Sequence, residues 1–264
     1  MRIELVTIFP RMVEGPISEG IVQRAREAGL VEIRVHDLRD FSDDRHRSVD
    51  DAPFGGGPGM VMKAEPFARA LAAIRADAGE RPGGEAVVLL SPRGRRFDQQ
   101  TARRYAQLDR LVLLCGRYEG IDERVGQELA TEELSLGDFV LTGGETPSLA
   151  VLEATVRLLP GALGDEGSAR ADSFEGGVLD WPHYTRPADW RGHAVPAVLL
   201  CGDHGRIRRW RRQQALRATR ERRPDLLASA RLNAEDEAML RDIEDEAPAG
   251  GPGALDKKAA VLHK

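Results

Sequence analysis

Three short segments carry residue types suited to gripping a small ligand through the main chain: Leu90-Ser91-Pro92-Arg93-Gly94, Cys115-Gly116-Arg117-Tyr118-Glu119-Gly120 and Leu141-Thr142-Gly143-Gly144-Glu145. Each follows an apolar run, and glycine at such a place lets backbone N–H and C=O groups approach an adenine edge closely. Any one of these loops could be an ordinary turn, but three on one rim would make a ligand mouth. None continues into Gly-Lys-Ser or Gly-Lys-Thr, and no GxGxxG opens a first βαβ unit, so the usual phosphate cradles are absent. A further glycine run at residues 55–59 contains Pro58, which removes an amide donor, and reads as a flexible wall over the ligand. Just before it, residues 43–51 mix both charge signs around His46 and Asp50. That run is either a solvated, salt-bridged loop or a substrate contact.

A second chemical signal is electrostatic. The 264-residue chain carries a formal net charge of −5, which taken alone argues against a polyanion partner. The average conceals a division: residues 1–180 sum to −9, residues 181–223 to +8 and residues 224–264 to −4. A concentrated basic stretch is the footprint of a nucleic-acid partner whatever the total. Within it Arg208 and Arg212 stand four apart on one face of an expected helix with Arg209 beside them, while Ile207 and Trp210 turn inward. Trp181 and Trp190 are expected in the core. Cys115 and Cys201 are too few and too isolated for a disulfide framework or a zinc site, and the six histidines show no ligand spacing, so no metal ligands are predicted. No apolar stretch is long enough to span a bilayer. The expected compartment is a reducing cytoplasm, with neither membrane nor DNA as a partner.

Elements that could position these loops follow from periodicity. Residues 2–8, 86–90 and 111–114 are short apolar runs of strand character, residues 31, 33 and 35 alternate, and residues 139–141 read as a further strand leading into Gly143. Helical spacing appears at Ile17, Ile21, Val22 and Ala25, at Phe67, Leu71 and Ile74, and at Leu149, Leu152 and Val156. This alternation predicts an α/β fold, a mostly parallel sheet with helices on both faces and ligand bound beyond the carboxyl ends of the strands. The expected organisation is a first domain over residues 1–160, a mobile acidic linker over 161–177, and a small mainly helical domain over 178–246. The latter has a strand-like piece at 195–200 and a helix capped by Asn233, and residues 247–264 form a disordered tail.

Six collinear segments carry a family resemblance: DRHRSVDDAPFGGGPGM (44–60), LLSPRGRRFDQ (89–99), LCGRYEGIDERV (114–125), SLGDFVLTGGE (135–145), ADSFEGGVLDWPHYTRP (171–187) and RRWRRQQAL (208–216). Together they closely resemble the bacterial tRNA (guanine-N1-)-methyltransferases of the SPOUT class, from the start of the chain to about residue 240. The resemblance implies a C-terminal trefoil knot in the first domain that binds S-adenosylmethionine. It also implies transfer of its methyl group to N1 of the guanine directly following the anticodon, position 37, which supports reading-frame maintenance. Carried over residue by residue, it makes Leu89, Leu90, Ser91, Pro92, Gly116, Tyr118, Gly120, Leu136, Gly137, Asp138, Phe139, Val140 and Leu141 cofactor contacts, with Gly143, Gly144 and Pro147 lining the same cleft.

The same resemblance implies Asp172 as general base and Arg157 as the cation that stabilises charge growing on guanine O6. An aspartate in water is a weak base, so it would have to be partly desolvated as RNA closes over it. His46, Asp50 and Gly59 become substrate contacts, Glu119 either touches the guanine or the methionine amine or braces its turn, and His183, Tyr184, Arg186, Arg208, Arg209 and Arg212 become contacts to the anticodon region. A homodimer is implied, with the linker and second domain of one chain reaching the cleft of the other, as is magnesium held loosely through water and ligand oxygens. A non-catalytic RNA-binding protein would share the basic segment without needing three ligand loops. A Rossmann oxidoreductase would share the βαβ rhythm but should carry the dinucleotide fingerprint. A SPOUT enzyme acting on ribose or on ribosomal RNA would differ in the nucleoside that gains the methyl group.

Overall fold

The computed structural model describes residues 1–78, 84–164 and 172–246. The chain divides into two compact units, Met1–Ala169 and Arg170–Lys264. In the first, five parallel strands lie in the order β2-β1-β6-β5-β7: β1 (Arg2–Thr7), β2 (Glu32–Asp37), β5 (Glu85–Arg96), β6 (Arg110–Cys115) and β7 (Glu132–Ser135). Strand residues alternate strictly between two apolar layers. Ile3, Leu5, Val88, Leu90, Leu111 and Leu113 enter one, and Val6, Val87, Leu89, Val112 and Leu114 the other. Both layers are roofed by helices, which is why β5 and β6 read as continuous apolar runs rather than alternating ones. Over the first lie α2 (Gly20–Glu27), α4 (Gln99–Ala106) and α6 (Glu145–Val156), and over the second α3 (Ala64–Ala78) and α5 (Glu123–Glu128). A short turn of helix, α1 (Arg11–Glu14), follows β1, and a two-stranded ribbon, β3 (Asp50–Asp51) with β4 (Val61–Met62), precedes α3.

The mostly parallel sheet with helices on both faces is as expected, with two differences. The strand expected at residues 139–141 is replaced by β7, which ends four residues before it, and Phe139, Val140 and Leu141 stand in a loop with 54%, 83% and 42% of their surfaces exposed. β7 is an edge strand whose sequence, EELS, opens with two charges, so the apolar triplet after it was the stronger lure. Ile17 belongs to a separate 3-10 turn, Pro16–Ser18, that precedes the helix carrying Val22 and Ala25.

The second unit is mainly helical. α7 (His204–Arg222) is capped by the Asp203 carboxylate, which accepts from the N–H groups of Gly205 and Arg206. It packs Leu216 against Val178 and against Met239 and Ile243 of α9 (Ala234–Glu246), with the short α8 (Pro224–Leu227) between. Asn233 and Asp236 cap α9 reciprocally: the Asn233 side chain accepts from Asp236 N–H (2.9 Å) and the Asp236 carboxylate from Asn233 N–H (3.1 Å). The strand expected at 195–200 is instead a 3-10 turn, Ala197–Leu200, because the extended residues come earlier, in a hairpin of β8 (Asp189–Trp190) and β9 (His193–Ala194). Trp190 is 58% exposed on that hairpin and is not core, whereas Trp181 is half-buried.

Of the expected linker, Ala162 is buried in the first unit's core. Phe174 N–H donates to the Val178 carbonyl (2.8 Å), and the Ser173 hydroxyl accepts from Asp180 N–H (3.0 Å), tying the described end of the segment into the second unit. Residues 165–171 and the expected tail, 247–264, lie outside the described residues. Among the described residues no helix is long and apolar enough to cross a membrane.

Candidate active site

The carboxyl ends of β5, β6 and β7 open onto a cleft of about 1460 Å³. Leu89, Leu90, Ser91 and Pro92 line it from β5, Gly116, Tyr118, Glu119 and Gly120 from the loop after β6, and Leu136, Gly137, Phe139, Val140, Leu141, Gly143 and Gly144 from the loop after β7, with Pro147 in the first turn of α6. Glycine is required where the loops meet. The N–H of Gly144 donates to the Gly116 carbonyl (2.9 Å), and a Cβ on Gly144 would fall 2.7 Å from Cα of Cys115. Tyr118 is held at φ +60°, a left-handed conformation unfavourable for an aromatic residue, and its ring is half exposed at the mouth.

An ion pair fastens these loops, its arginine, Arg117, lining the cleft and its carboxylate, Glu145, buried behind it. Glu145, 1% exposed, accepts from the Thr7 hydroxyl at Oε1 (2.6 Å) and from Arg117 Nε at Oε2 (2.8 Å), and Arg117 Nη2 is 2.8 Å from the same Oε2. Arg117 also donates to the Thr142 carbonyl (3.3 Å) and lies 4.8 Å above the Phe9 ring. One guanidinium thus joins the ends of β1 and β6 to the loop after β7 and the start of α6. Beside it the Cys115 thiol is pushed up to about 12 by burial. Where the loop after β6 ends, hydrogen bonding from Arg124 holds Asp122 down to about 2.

The second unit carries a pocket of about 220 Å³, lined by Asp172, Asp180, Trp181, Arg208, Arg211 and Arg212 among others. The Arg211 guanidinium lies 5.2 Å from the Trp181 ring centroid, and His183 Nε2 meets Asp180 Oδ2 at 2.7 Å. The α7 face around this pocket presents exposed Arg208 and Arg209.

A family model described as tRNA (guanine-1)-methyltransferase TrmD matches residues 1–229. The chain belongs to this family. It is 53% identical over 247 residues to the tRNA (guanine-N(1)-)-methyltransferase of Geobacter metallireducens, a match covering 94% of this chain and 99% of that one. Proteins of the same name from Anaeromyxobacter sp. and Desulforudis audaxviator are 55% and 54% identical, covering 93% and 92% of this chain and 98% and 96% of theirs.

Against that membership, the expected site residues of this methyltransferase-family chain fall into three groups. The cofactor set gathers on the large cleft except for Asp138, whose carboxylate turns away to Arg96 (2.8 Å) and is 91% exposed. Of the substrate-side set, Glu119 lines the cleft and Gly59 (φ +79°) is pressed against its side chain, so that a Cβ there would collide with Glu119. Asp50 lies in β3 behind the lining residue Asp51, and His46 is exposed, its N–H holding the Asp44 carboxyl below the ordinary range. Asp172, Arg208 and Arg212 meet on the small pocket, with His183 beside it on Asp180 and Tyr184 6.3 Å from the Trp210 ring, while Arg186 is exposed.

Arg157 stands, as expected, at the end of the helix before the linker, whereas Arg212 departs from expectation. Arg157 caps the carboxyl end of α6, whereas the cleft is at its amino end, about 18 Å away at 1.5 Å per residue. Arg212 does not face solvent as a free cation. Its Nε and Nη2 grip the buried Asp236 carboxylate at 2.7 and 2.9 Å, a strut between α7 and α9. The residues that sequence reasoning missed are Thr7, Arg117 and Glu145. Only the last two stand inside motifs already singled out, and nothing local marks a pair separated by 28 positions.

Proposed function

We propose that this chain transfers a methyl group from S-adenosylmethionine to N1 of the guanine directly following the anticodon of tRNA, position 37, and works as a homodimer in the cytoplasm. The carrying observation is that the three glycine-bearing loops, read as a ligand mouth, surround one cleft in a chain whose family match runs across both units. The residues present suit the donor. S-adenosylmethionine has no phosphate, and the cleft offers backbone groups, apolar walls at Leu89, Leu90, Leu136 and Leu141, and a close-packed glycine floor. When bound, the donor supplies an electrophilic methyl group on a sulfonium.

The chain's part is to orient the guanine and remove its N1 proton, since the nitrogen lone pair is otherwise committed to the ring. Asp172 takes that proton, Arg157 stabilises the negative charge left on O6, and Glu119 and Asp50 hold the purine. Arg157's distance from the cleft of its own chain favours a site completed by the partner subunit. The trefoil knot belongs to the same proposal. It is supported by the Ser91–Gly94 excursion of β5, after which the strand resumes pairing with β7 so closely that a Cβ on Gly94 would overlap the Leu134 backbone. So do a catalytic domain over 1–160, a linker over 161–177 and a tRNA-binding domain over 178–246. Among the described residues no three His, Cys, Asp or Glu side chains gather as a metal site, so magnesium, if required, would act through water and ligand oxygens.

Incubation with unmodified tRNA and methyl-labelled S-adenosylmethionine, followed by nucleoside analysis, tests the proposal. The expected product is 1-methylguanosine, and label in a ribose or in another base rejects it. Asp172→Asn should bind the donor normally and lose turnover by at least about a hundredfold, the usual worth of a general base.

A further inference from the structure

Up to residue 256, every basic side chain but one is arginine, and the exception is Lys63, the other lysines being Lys257, Lys258 and Lys264. Lys63 directly follows β4 and lines the large cleft beside the glycine loop after β6, to which Met62 is tied by its N–H on the Gly120 carbonyl (2.9 Å). The Lys63 N–H donates to the Val49 carbonyl (2.8 Å), which fixes the base of the side chain, while Nζ stands 3.5 Å from the Ser48 hydroxyl and 4.0 Å from Asp51 Oδ2. Both are at the outer limit of such contacts, and the side chain is 35% exposed.

Three arginines of this chain close onto a neighbouring aspartate with two nitrogens, Arg124 on Asp122 at 2.8 and 2.6 Å, Arg223 on Asp225 at 2.9 and 2.6 Å, and Arg212 on Asp236, while Arg34, Arg69 and Arg96 each hold one with a single nitrogen. A planar fork next to Asp51 has the geometry to be taken up by that carboxylate, as those of Arg124, Arg223 and Arg212 are by theirs. An ammonium on a flexible stem stays available as a point charge.

Three residues beyond Asp51 on the same ribbon, Phe54 also lines the cleft and is completely exposed, a side chain that contributes nothing to the core. A cation and an unburied ring on one wall are what a nucleotide needs, a partner for its phosphate and a face for its base. The cleft has room for it, since about 1460 Å³ exceeds the 300–1,000 Å³ usual for one small ligand. We infer that the β3–β4 ribbon forms a nucleotide subsite in which Lys63 binds a backbone phosphate of the RNA substrate while Phe54 stacks on a base flanking the target guanine. The inference rests on the proposed tRNA reaction and adds to it the residues that hold the substrate strand in the cleft.

Equilibrium binding of tRNA to the full-length protein, measured over a range of salt concentrations and separately from methylation, tests it. Lys63→Gln should weaken tRNA binding about tenfold and flatten the slope of log K against log[salt] by about 0.7, the release from one phosphate of a single strand. Lys63→Arg keeps the slope, and Lys63→Met, which retains the aliphatic stem, repeats the glutamine result should that variant fold poorly. Phe54→Ala, at a position without packing partners, should weaken binding by about tenfold with the slope unchanged. Affinity for S-adenosylmethionine should be untouched in all of them. A wild-type slope in both Lys63→Gln and Lys63→Met overturns the phosphate assignment, and lost donor affinity assigns the ammonium to the methionine carboxylate instead. Dissociation of the dimer by Phe54→Ala, with tRNA affinity per dimer retained, would make the ring a subunit contact and overturn the stacking role. If the wild-type protein binds tRNA but methylates nothing, the reaction fails while the subsite stands.

Discussion

Arg117 and Glu145 show how a wall residue of a ligand cleft can depend on a partner buried behind it. Glu145 is almost wholly out of water, and its charge is tolerable only because the Thr7 hydroxyl and two guanidinium nitrogens surround it. Arg117→Ala therefore strands a buried carboxylate and should cost about 3–5 kcal/mol, measured by urea unfolding followed by circular dichroism. Replacing both charges, in Arg117→Met with Glu145→Gln, should recover most of that stability because no unpaired ion remains. Donor affinity should stay impaired, since the tie to the Thr142 carbonyl is still gone. A double variant that binds S-adenosylmethionine normally would reduce the pair to a stability element. The adjacent Cys115 has a different signature. Burial raises its thiol to about 12, so the neutral form is favoured by folding. That contribution is complete below the ordinary thiol range and is lost as pH climbs from there toward 12. Alkylation of the native protein near neutral pH should accordingly label the exposed Cys201 and spare Cys115, with both reacting after unfolding.

At the scale of elements, what could be read from the sequence is what repeats locally. The runs in β5 and β6 and the Phe67, Leu71, Ile74 stripe of α3 announce their periods, and the three glycine loops announce the rim they form. What could not be read depends on pairing across the chain. β7 is an edge strand that earns its conformation from register with β5 rather than from its own residues, and the apolar triplet after it drew the prediction away. Arg212 illustrates the same limit, because its helical spacing placed it with Arg208, yet a carboxylate 24 residues later turned its guanidinium inward.

Arg212's hydrogen bonds hold Asp236 below the ordinary carboxylate range. The pair's stabilisation is thus present above about pH 4 and falls away as the pH drops through the depressed value. Asp236→Asn should loosen α7 from α9 by about 3 kcal/mol. All three tryptophans, Trp181, Trp190 and Trp210, lie in the second unit, so their fluorescence reports its unfolding selectively. An unchanged midpoint by that probe would mean that the strut carries no load.

For the whole molecule, the question is which subunit's acid serves which cleft. The large cleft lies in the first unit and Asp172 in the second, and Arg157 stands at the end of α6 remote from the cleft of its own chain. A site completed in trans predicts a complementation pattern that a self-contained protomer cannot give. One variant, Asp172→Asn, keeps the cleft and loses the base. The other, Gly116→Leu, keeps Asp172 and fills the cleft, at a position where an added Cβ meets only the side chain of Ile121, at 3.2 Å. Each homodimer should be inactive. Subunits exchanged at equal amounts form about half mixed dimers, in which a trans arrangement leaves one intact site of two, so about a quarter of wild-type activity should return. The reciprocal mixture separates the cases: a doubly substituted chain paired with a wild-type chain should give inactive mixed dimers if the site is shared, because each site then contains one damaged half. A self-contained protomer reverses both outcomes, with no recovery in the first mixture and a working site in every mixed dimer of the second. Activity that tracks the wild-type chain alone would therefore return Asp172 to its own cleft and remove the dimer from the chemistry.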